Sequence, residues 1–381
     1  MINLMEKQKT IGIVGGGQLG RMLTLAALPL GFKVIVINPT PGSPASQVGA
    51  AEIIADLYDA AALRALAKKS DYVTIEIEHL DSEVLIALAA KGTLINPSPK
   101  TISLIQDKFL QKEFLHQAGI SVVPFVKIKD EMSAKKALKN FDGKMLIKAR
   151  QGAYDGRGNM LITQPSAITK AFRLFGGRKL YAEGFVPFTK ELAVMVARSM
   201  DGETAVYPLV ETIHQRNICV EVLSPALISQ KTSKKAEAVA RKVAQLLDGA
   251  GMFCIEMFLT KNGEVLVNEI APRVHNSGHA SIEANHTSQF EQHIRAITGL
   301  PLGAVGLKVP AAAMINILGE RSGPTSLSGL NEILKTPHVS VHMYGKSPTK
   351  IDRKMGHITA TAKTLAVAQK RARRARKQLS I

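Results

Sequence analysis

The segment GMFCIEMFLTKNGEVLVNEIAPRVHNSGH, residues 251–279, is the stretch around which the rest of the chain can be read. Asn262-Gly263 is a strong two-residue hairpin signal, and strand-forming runs flank it at 253–259 and 265–270. Pairing outward from that turn sets Thr260 opposite Val265, Phe258 opposite Val267 and Glu256 opposite Glu269. Directly opposed like charges weaken a sheet, and among apolar neighbours an unpaired charge is costlier still. A shared cation relieves the conflict, and Mg²⁺ typically takes one or two carboxylates together with substrate phosphates. Neutralisation of the pair by a lysine or arginine, or a slipped register that leaves one glutamate in water, is the competing reading.

Upstream, residues 10–14 read as a buried strand, followed by Gly15-Gly16-Gly17-Gln18-Leu19-Gly20, a helical run at 21–28 and a second strand at 33–37. Strand, G-x-G-x-x-G turn, helix and strand in that order form a dinucleotide-like unit. A nicotinamide site needs an acid at the end of the second strand for the ribose diol, and this chain has Asn38-Pro39 there. The missing acid lowers the dinucleotide reading but leaves an anion site at the helix start, with Gln18 as an extra donor. A tight-packing strand-to-helix turn explains the glycines equally well. Residues 71–77 alternate as a further strand and bring Glu76 and Glu78 to one face at its end, where ligands of open α/β sheets gather.

Residues 94–99 read as a strand ending in a proline-restricted turn, 100–117 as a charged helix, and a domain boundary falls near Asp107-Lys108. Strand, helix and strand follow at 121–128, 132–140 and 143–149, the last running into KARQGAYDGRGN at 148–159. A strand-end lysine before a loop with Gly152, Gly156 and Gly158 suits closure over a polyphosphate, because backbone donors approach closely while Lys and Arg offset charge. The Gly-Lys-Ser/Thr ending of a Walker loop is missing, and an ordinary hairpin tip is the alternative. A strand at 179–186 carries Glu183, Glu191 opens another that leads on to His214, and 233–247 reads as a solvated amphipathic helix.

With 381 residues, 46% hydrophobic and 21% charged, the chain has room for two or three domains and a sizeable core. The longest uncharged apolar run, 22–32, is too short to span a membrane and contains Pro29 and Gly31. Cys219 and Cys254 supply neither a metal spacing nor a disulfide framework, and the first ten residues lack the core of a signal peptide. A soluble, cytoplasmic protein is expected. The net charge of +18 suits nucleic acid, anionic small substrates or merely a basic surface. Its densest run, KRARRARK at 370–377, reads as a frayed or helical basic tail, and the absence of Trp leaves few stacking platforms for bases.

Taken together, GGGQLGRM at 15–22, GAYDGRGN at 152–159, YAEGFVPF at 181–188, NEIAPRVHNSGH at 268–279, TSQFEQHIRAITGLPLG at 287–303 and DRKMGHIT at 352–359 resemble one family. It is the N5-carboxyaminoimidazole ribonucleotide synthetases, within the ATP-grasp ligases, and the resemblance covers residues 11–358. It implies an α/β protein: a Rossmann-like parallel-sheet domain at 1–108, an ATP-grasp domain at 109–303 with a small lobe at about 120–180, and a small α/β carboxyl-terminal domain at 304–381. It further implies ATP- and bicarbonate-dependent carboxylation of aminoimidazole ribonucleotide through carboxyphosphate in purine biosynthesis, and a homodimer.

Carried over by position, the resemblance gives Lys108 and Lys148 the nucleotide phosphates. It makes Ala153, Tyr154, Asp155, Gly156, Arg157, Gly158 and Asn159 the closing loop. Glu183, Gly184, Phe185 and Val186 would line the adenine pocket, Glu191 would take the ribose hydroxyls, and His214 would lie close by. Glu256 and Glu269, with Asn268 beside them, would hold Mg²⁺ on the ATP phosphates. Arg273, His275, Asn276 and Ser277 would hold bicarbonate and the transferred group. Gln18, Asp155, Lys346 and Arg353 would hold the aminoimidazole nucleotide. Two departures stand out: Ala153 replaces the family's usual second glycine, and the chain beyond about residue 365 carries no family motif. Among the remaining readings, a formate- or amino-acid-dependent ligase of the same fold would share the nucleotide residues but not the RVHNSGH and DRKMGH segments, a nicotinamide oxidoreductase rests on the Gly15–Gly20 turn alone, and a nucleic-acid-binding protein on net charge and the basic tail. The cysteines read as core residues, Glu283, Glu291 and Arg295 as structural positions on a helix, and Arg273 as an alternative partner for Glu269.

Overall fold

The computed structural model describes residues 8–152 and 158–381. The amino-terminal strands β1 (Thr10–Val14), β2 (Lys33–Asn38), β3 (Ala51–Ile54) and β4 (Tyr72–Ile75) form a parallel sheet in the order β3-β2-β1-β4. Helices cover it, so β1 is buried along nearly its whole length, as parallel strands are. The helix after the glycine turn, Gln18–Ala27, packs through Leu19, Met22 and Leu23 into a core shared with Met252, Ile294 and Ile297 of the next domain. His293 ties the same seam: its Nδ1 accepts from Met252 N at 3.0 Å, so its Nε2–H donates to Thr74 Oγ1 at 2.8 Å.

A small antiparallel sheet follows, with β5 (Phe125–Lys127), β6 (Met145–Ala149), β7 (Asn159–Ile162) and β8 (Leu180–Gly184) in the order β5-β8-β6-β7. The large sheet contains β9 (Phe188–Arg198), β10 (Thr204–Val206), β11 (Val210–Gln215), β12 (Ile218–Ser224), β13 (Gly251–Thr260) and β14 (Val265–Ala271). It continues without a break into β15 (Ala311–Leu318), β16 (Val339–Met343) and β17 (Lys354–Ala362), in the order β14-β13-β9-β11-β12-β15-β17-β16 with β10 paired to β9. Among the described residues no helix is long and apolar enough to cross a membrane.

Several sequence expectations shift. The two-residue turn at Asn262-Gly263 is a three-residue loop: Gly263 N donates to Thr260 O, Thr260 N donates to Glu264 O, and Gly263 takes φ 77. Pairing near the turn is therefore one residue out, with Phe258 opposite Leu266 and Leu259 opposite Val265. A bulge at Asn268 restores the count, and Glu256 does stand opposite Glu269. The strand expected at 121–128 keeps only Phe125–Lys127, because Ser121 and Val123 bond to Val267 on the edge of the hairpin instead.

The helix expected at 100–117 breaks at Asp107, whose carboxylate caps Phe109 N and Leu110 N and takes a bidentate bond from Arg150. Of the two readings of the basic run, frayed or helical, the helical one holds. The run lies in helix Leu365–Lys377, which buries Ala368, Ala372 and Ala375 and places Arg373 2.8 Å from Glu221 and Arg376 2.8 Å from Glu320.

Candidate functional site

A cleft of about 520 Å³ opens between the small sheet, the hairpin β13–β14 and the amino-terminal domain. The hairpin supplies Glu256 and Glu269 to it side by side, and the bulge turns Asn268 into it as well. Backing the bulge, Lys112 Nζ donates to Asn268 O at 2.7 Å. Lys108, at the start of helix Lys108–Gln117, places Nζ 2.8 Å from Glu269 Oε1. A lysine thus neutralises one member of the pair, as the competing reading allowed, and leaves the other.

The two glutamates diverge accordingly. Burial and then the charge of Glu269 push Glu256 up to about 7. Glu269 feels the same burial, but Lys108, followed by Lys148 and Lys112, outweighs it and holds the carboxyl below its ordinary value. Both side chains still face open cleft, 27% and 40% exposed, so water moderates these effects. An under-compensated carboxylate beside an ionised one is a donor set that fits a divalent cation.

On the floor of the small lobe, Glu183 is only 1% exposed and is gripped by Lys148 Nζ at 2.6 Å, Lys112 Nζ at 3.1 Å and Tyr181 OH at 2.8 Å. Burial alone would raise its carboxyl, yet Lys112 and Lys148 bring it down to about 2. Gly184, Phe185, Val186, Gly158 and Asn159 line the same wall. His214 Nδ1 lies 3.1 Å from Glu191 Oε2, and both line the cleft. Residues Ala153, Tyr154, Asp155, Gly156 and Arg157 lie outside the described residues.

Opposite this wall, Arg273 Nε donates to Glu78 Oε2 at 2.9 Å. The partner suggested by sequence, Glu269, is replaced by one from the amino-terminal domain, because β4 ends at the cleft. His275 Nδ1 accepts from Ser277 N at 3.3 Å, which leaves Nε2–H directed toward Glu256 Oε1 at 3.7 Å. Burial and then the Arg273 charge hold that imidazole well below its ordinary value, so it is neutral. Asn276 reaches the cleft and exchanges side-chain amide hydrogen bonds with Asn316 at 3.0 and 2.6 Å. Ser277 does not line the cleft; it is 2% exposed and sits behind His275.

Gln18 and Lys346 also stand outside the cleft, but meet each other with Nζ 2.5 Å from Oε1. Lys346 Nζ donates onward to Lys354 O at 2.8 Å, and Lys354 does line the cleft. Arg353 is held at Pro348 O at 2.7 Å, away from that wall.

The glycine turn 15–20 holds no room for a dinucleotide phosphate. Gly17 N and Gly20 N both donate to the carboxylate of Glu76, the second at 2.5 Å. A Cβ on Gly17 would lie 2.6 Å from Glu76 Oε1, so the glycines are there for the glutamate.

Three family models match the chain in succession. A ribonucleotide synthetase preATP-grasp domain matches residues 8–106, an ATP-grasp domain 113–290, and a phosphoribosylaminoimidazole carboxylase C-terminal domain 312–371. The crystal structure of N5-carboxyaminoimidazole ribonucleotide synthetase from Thermotoga maritima superposes with a TM-score of 0.89 at 46% identity, covering 98% of this chain and 99% of that one. This chain belongs to the N5-carboxyaminoimidazole ribonucleotide synthetase family of ATP-grasp enzymes.

An Aspergillus clavatus synthase solved with ADP and 5-aminoimidazole ribonucleotide gives a TM-score of 0.90 at 36% identity over 97% of each chain. A phosphoribosylaminoimidazole carboxylase of Ogataea methanolica is 44% identical over 95% of this chain, which spans 68% of that protein. The chain thus covers about two thirds of the length of the fungal carboxylases it matches and nearly all of the synthetase structures.

Sequence reasoning missed several wall residues of this cleft. Ile105, Val123, Leu146 and Phe258 give the cleft its apolar lining, and as aliphatic or aromatic strand and helix residues they carry no mark that separates them from core. Lys112 was missed although it lies one helical turn after Lys108, a spacing that puts both on the same face. Lys354 sits two residues before the quoted GH pair and could have been found as a strand-end cation.

Proposed function

We infer that this chain uses ATP and bicarbonate to carboxylate 5-aminoimidazole ribonucleotide, giving N5-carboxyaminoimidazole ribonucleotide through carboxyphosphate, in purine biosynthesis. One observation carries the reading: the opposed Glu256 and Glu269 stand between the lysines of a nucleotide-like wall and the Arg273–His275 corner. Bicarbonate is a poor electrophile, and activating it by phosphoryl transfer calls for positioning and charge stabilisation more than for a protein nucleophile.

Lys108 and Lys148 are the cations for the phosphates, and each is already paired with a carboxylate with which a polyanion would compete. Gly184, Phe185 and Val186 offer an edge and an apolar face for the base, and Glu191 lies where ribose hydroxyls would reach it. Glu256, Glu269 and Asn268 fit Mg²⁺, which when bound offsets charge on the transferred phosphoryl group. Arg273 supplies a fixed positive charge for bicarbonate, and neutral His275 presents an N–H next to it. Asn276 orients that corner through Asn316, and Ser277 positions the His275 ring.

Gln18 and Lys346, together with Arg353 and Asp155, form the acceptor-nucleotide end of the proposal, coupled to the cleft through Lys354. The same reading carries a division at 1–108, 109–303 and 304–381, a homodimer and a cytoplasmic location. ADP release measured with ATP, Mg²⁺, bicarbonate and aminoimidazole ribonucleotide, omitting each in turn, tests it. All four should be required, and turnover indifferent to both bicarbonate and the ribonucleotide would falsify the assignment.

A further inference from the structure

Behind the Gln18–Lys346 end, three segments distant in sequence meet: helix Ser281–Ala284 with Glu283, β16 with His342 and β17 with His357. The two histidines are direct cross-strand partners, with their rings stacked 4.5 Å apart. His342 Nε2 lies 2.7 Å from Glu283 Oε1, and one donor atom from each of the three residues lies within 4.8 Å of the other two.

Two polar atoms of this cluster, Glu283 Oε2 and His357 Nε2, are buried with no hydrogen-bond partner among the described residues. Buried polar groups are almost always satisfied, so two orphans in one cluster of ligand-type side chains call for an occupant. His357 is wholly buried, and its Nδ1 is engaged by Tyr344 OH at 2.9 Å. With Nδ1–H donating to the phenol oxygen, the Nε2 lone pair is left for the cluster, the same outer-sphere arrangement that fixes metal-binding histidines. His279, whose ring stands 5.0 Å away, is no competitor: with Nδ1 accepting from Gln289 Nε2 at 3.2 Å, its Nε2 carries the proton and has no lone pair to offer. None of the three residues lines the cleft.

We propose that Glu283, His342 and His357 form a site for a divalent transition-metal cation of the Zn²⁺ type, bound by two imidazole nitrogens and one carboxylate. Such a donor set suits Zn²⁺ and Co²⁺ rather than Mg²⁺ or Ca²⁺. Cross-strand partners keep their Cβ atoms about 5 Å apart, close enough for both rings to reach one ion. Binding replaces the His342–Glu283 hydrogen bond and turns His342 out of the stack. With 29% of its side chain exposed, His342 borders solvent, and the fourth position is left to water. The ion fastens the adjacent strands β16 and β17 to the central body just ahead of Lys346.

The test uses the full chain, stripped with a chelator and titrated with Co²⁺ in the absence of nucleotide. One equivalent should account for the intense visible absorption of a low-coordinate site, and that absorption should be lost on adding Zn²⁺ and vanish in both His342→Gln and Glu283→Gln. Zn²⁺ should raise the melting temperature of the wild type by several degrees and leave both variants unmoved. Glu256→Gln should keep the signal, since it alters only a carboxylate of the cleft. A wild-type protein that takes up no Co²⁺ overturns the proposal without recourse to any variant. So does a signal that survives in His342→Gln and Glu283→Gln, or one that is lost in Glu256→Gln.

Discussion

At the glycine turn 15–20, the carboxylate of Glu76 rests on the backbone N–H groups of Gly17 and Gly20. In the cleft, Glu256 and Glu269 face one another, with Lys108 satisfying only the second. Both places combine glutamates with positive groups at strand ends. At the turn the protein fills its own anion site, whereas in the cleft it leaves a carboxylate whose charge is not fully met. A site is marked by the imbalance that remains after the chain has satisfied itself, more than by the residue types alone.

The sharpest way to break this contrast is Glu269→Gln. It removes one carboxylate from the opposed pair and leaves Lys108 without its ion partner, on residues that face open cleft. Turnover of ATP should fall by on the order of 10²-fold or more, the scale of losing one preorganised electrostatic group, while the melting temperature moves little. Near-normal ADP release in this variant would remove the metal role of the hairpin.

Glu76→Ala attacks the other half of the comparison. It leaves Gly17 N and Gly20 N without their acceptor in a partly buried setting, at a cost of roughly 2–4 kcal/mol for two unmet donors. Glu76→Gln keeps an acceptor and should lose clearly less. Urea denaturation compares them, and equal stabilities would show that the turn does not depend on the carboxylate.

How much of this was open to reading follows the range of the interactions involved. The glycine turn with its flanking elements, and the facing of Glu256 and Glu269, are local, set by turn chemistry and alternation. Even there, the right pairing emerged from two offsetting one-residue deviations, a longer loop and a bulge, neither visible in the run of apolar residues. Contacts such as Glu78 with Arg273 join residues 195 positions apart and depend on how domains dock. The same holds for Arg373 with Glu221, which turned a basic run into a packed helix. Ser277 looked like part of an anion cluster because it shares a motif with His275, but a short 3₁₀ turn at Asn276–Gly278 directs it inward.

The pH dependence separates the two glutamates more finely. Burial, reinforced by the facing Glu269, raises Glu256 from 4.5 to about 7, so between those values the folded chain holds a proton that the unfolded chain has released. The folded state then binds more protons, and stability falls as pH rises through this window, levelling above about 7 where both states are ionised. Mg²⁺ competes with that proton, so its affinity should rise with pH over the same interval. Glu256→Gln should flatten the fall in stability, read from denaturation midpoints at several pH values. Parallel wild-type and variant curves would mean that the opposed charges do not set the slope.

The smallest effect is expected where the sequence first invited a nicotinamide site. Asn38→Asp supplies the acid missing at the end of β2, and the cost is the pair of Nδ2 contacts to Thr40, exposed and worth about 1 kcal/mol. If an absent ribose partner were the obstacle to dinucleotide binding, this change would create measurable NADH binding by fluorescence. Glu76 already holds the donors that a pyrophosphate would need and occupies their space, so the variant should bind no better than the wild type. Binding that appeared in Asn38→Asp alone would mean that Glu76 yields its place, and the distinction between a filled and an unfilled anion site would lose its physical basis.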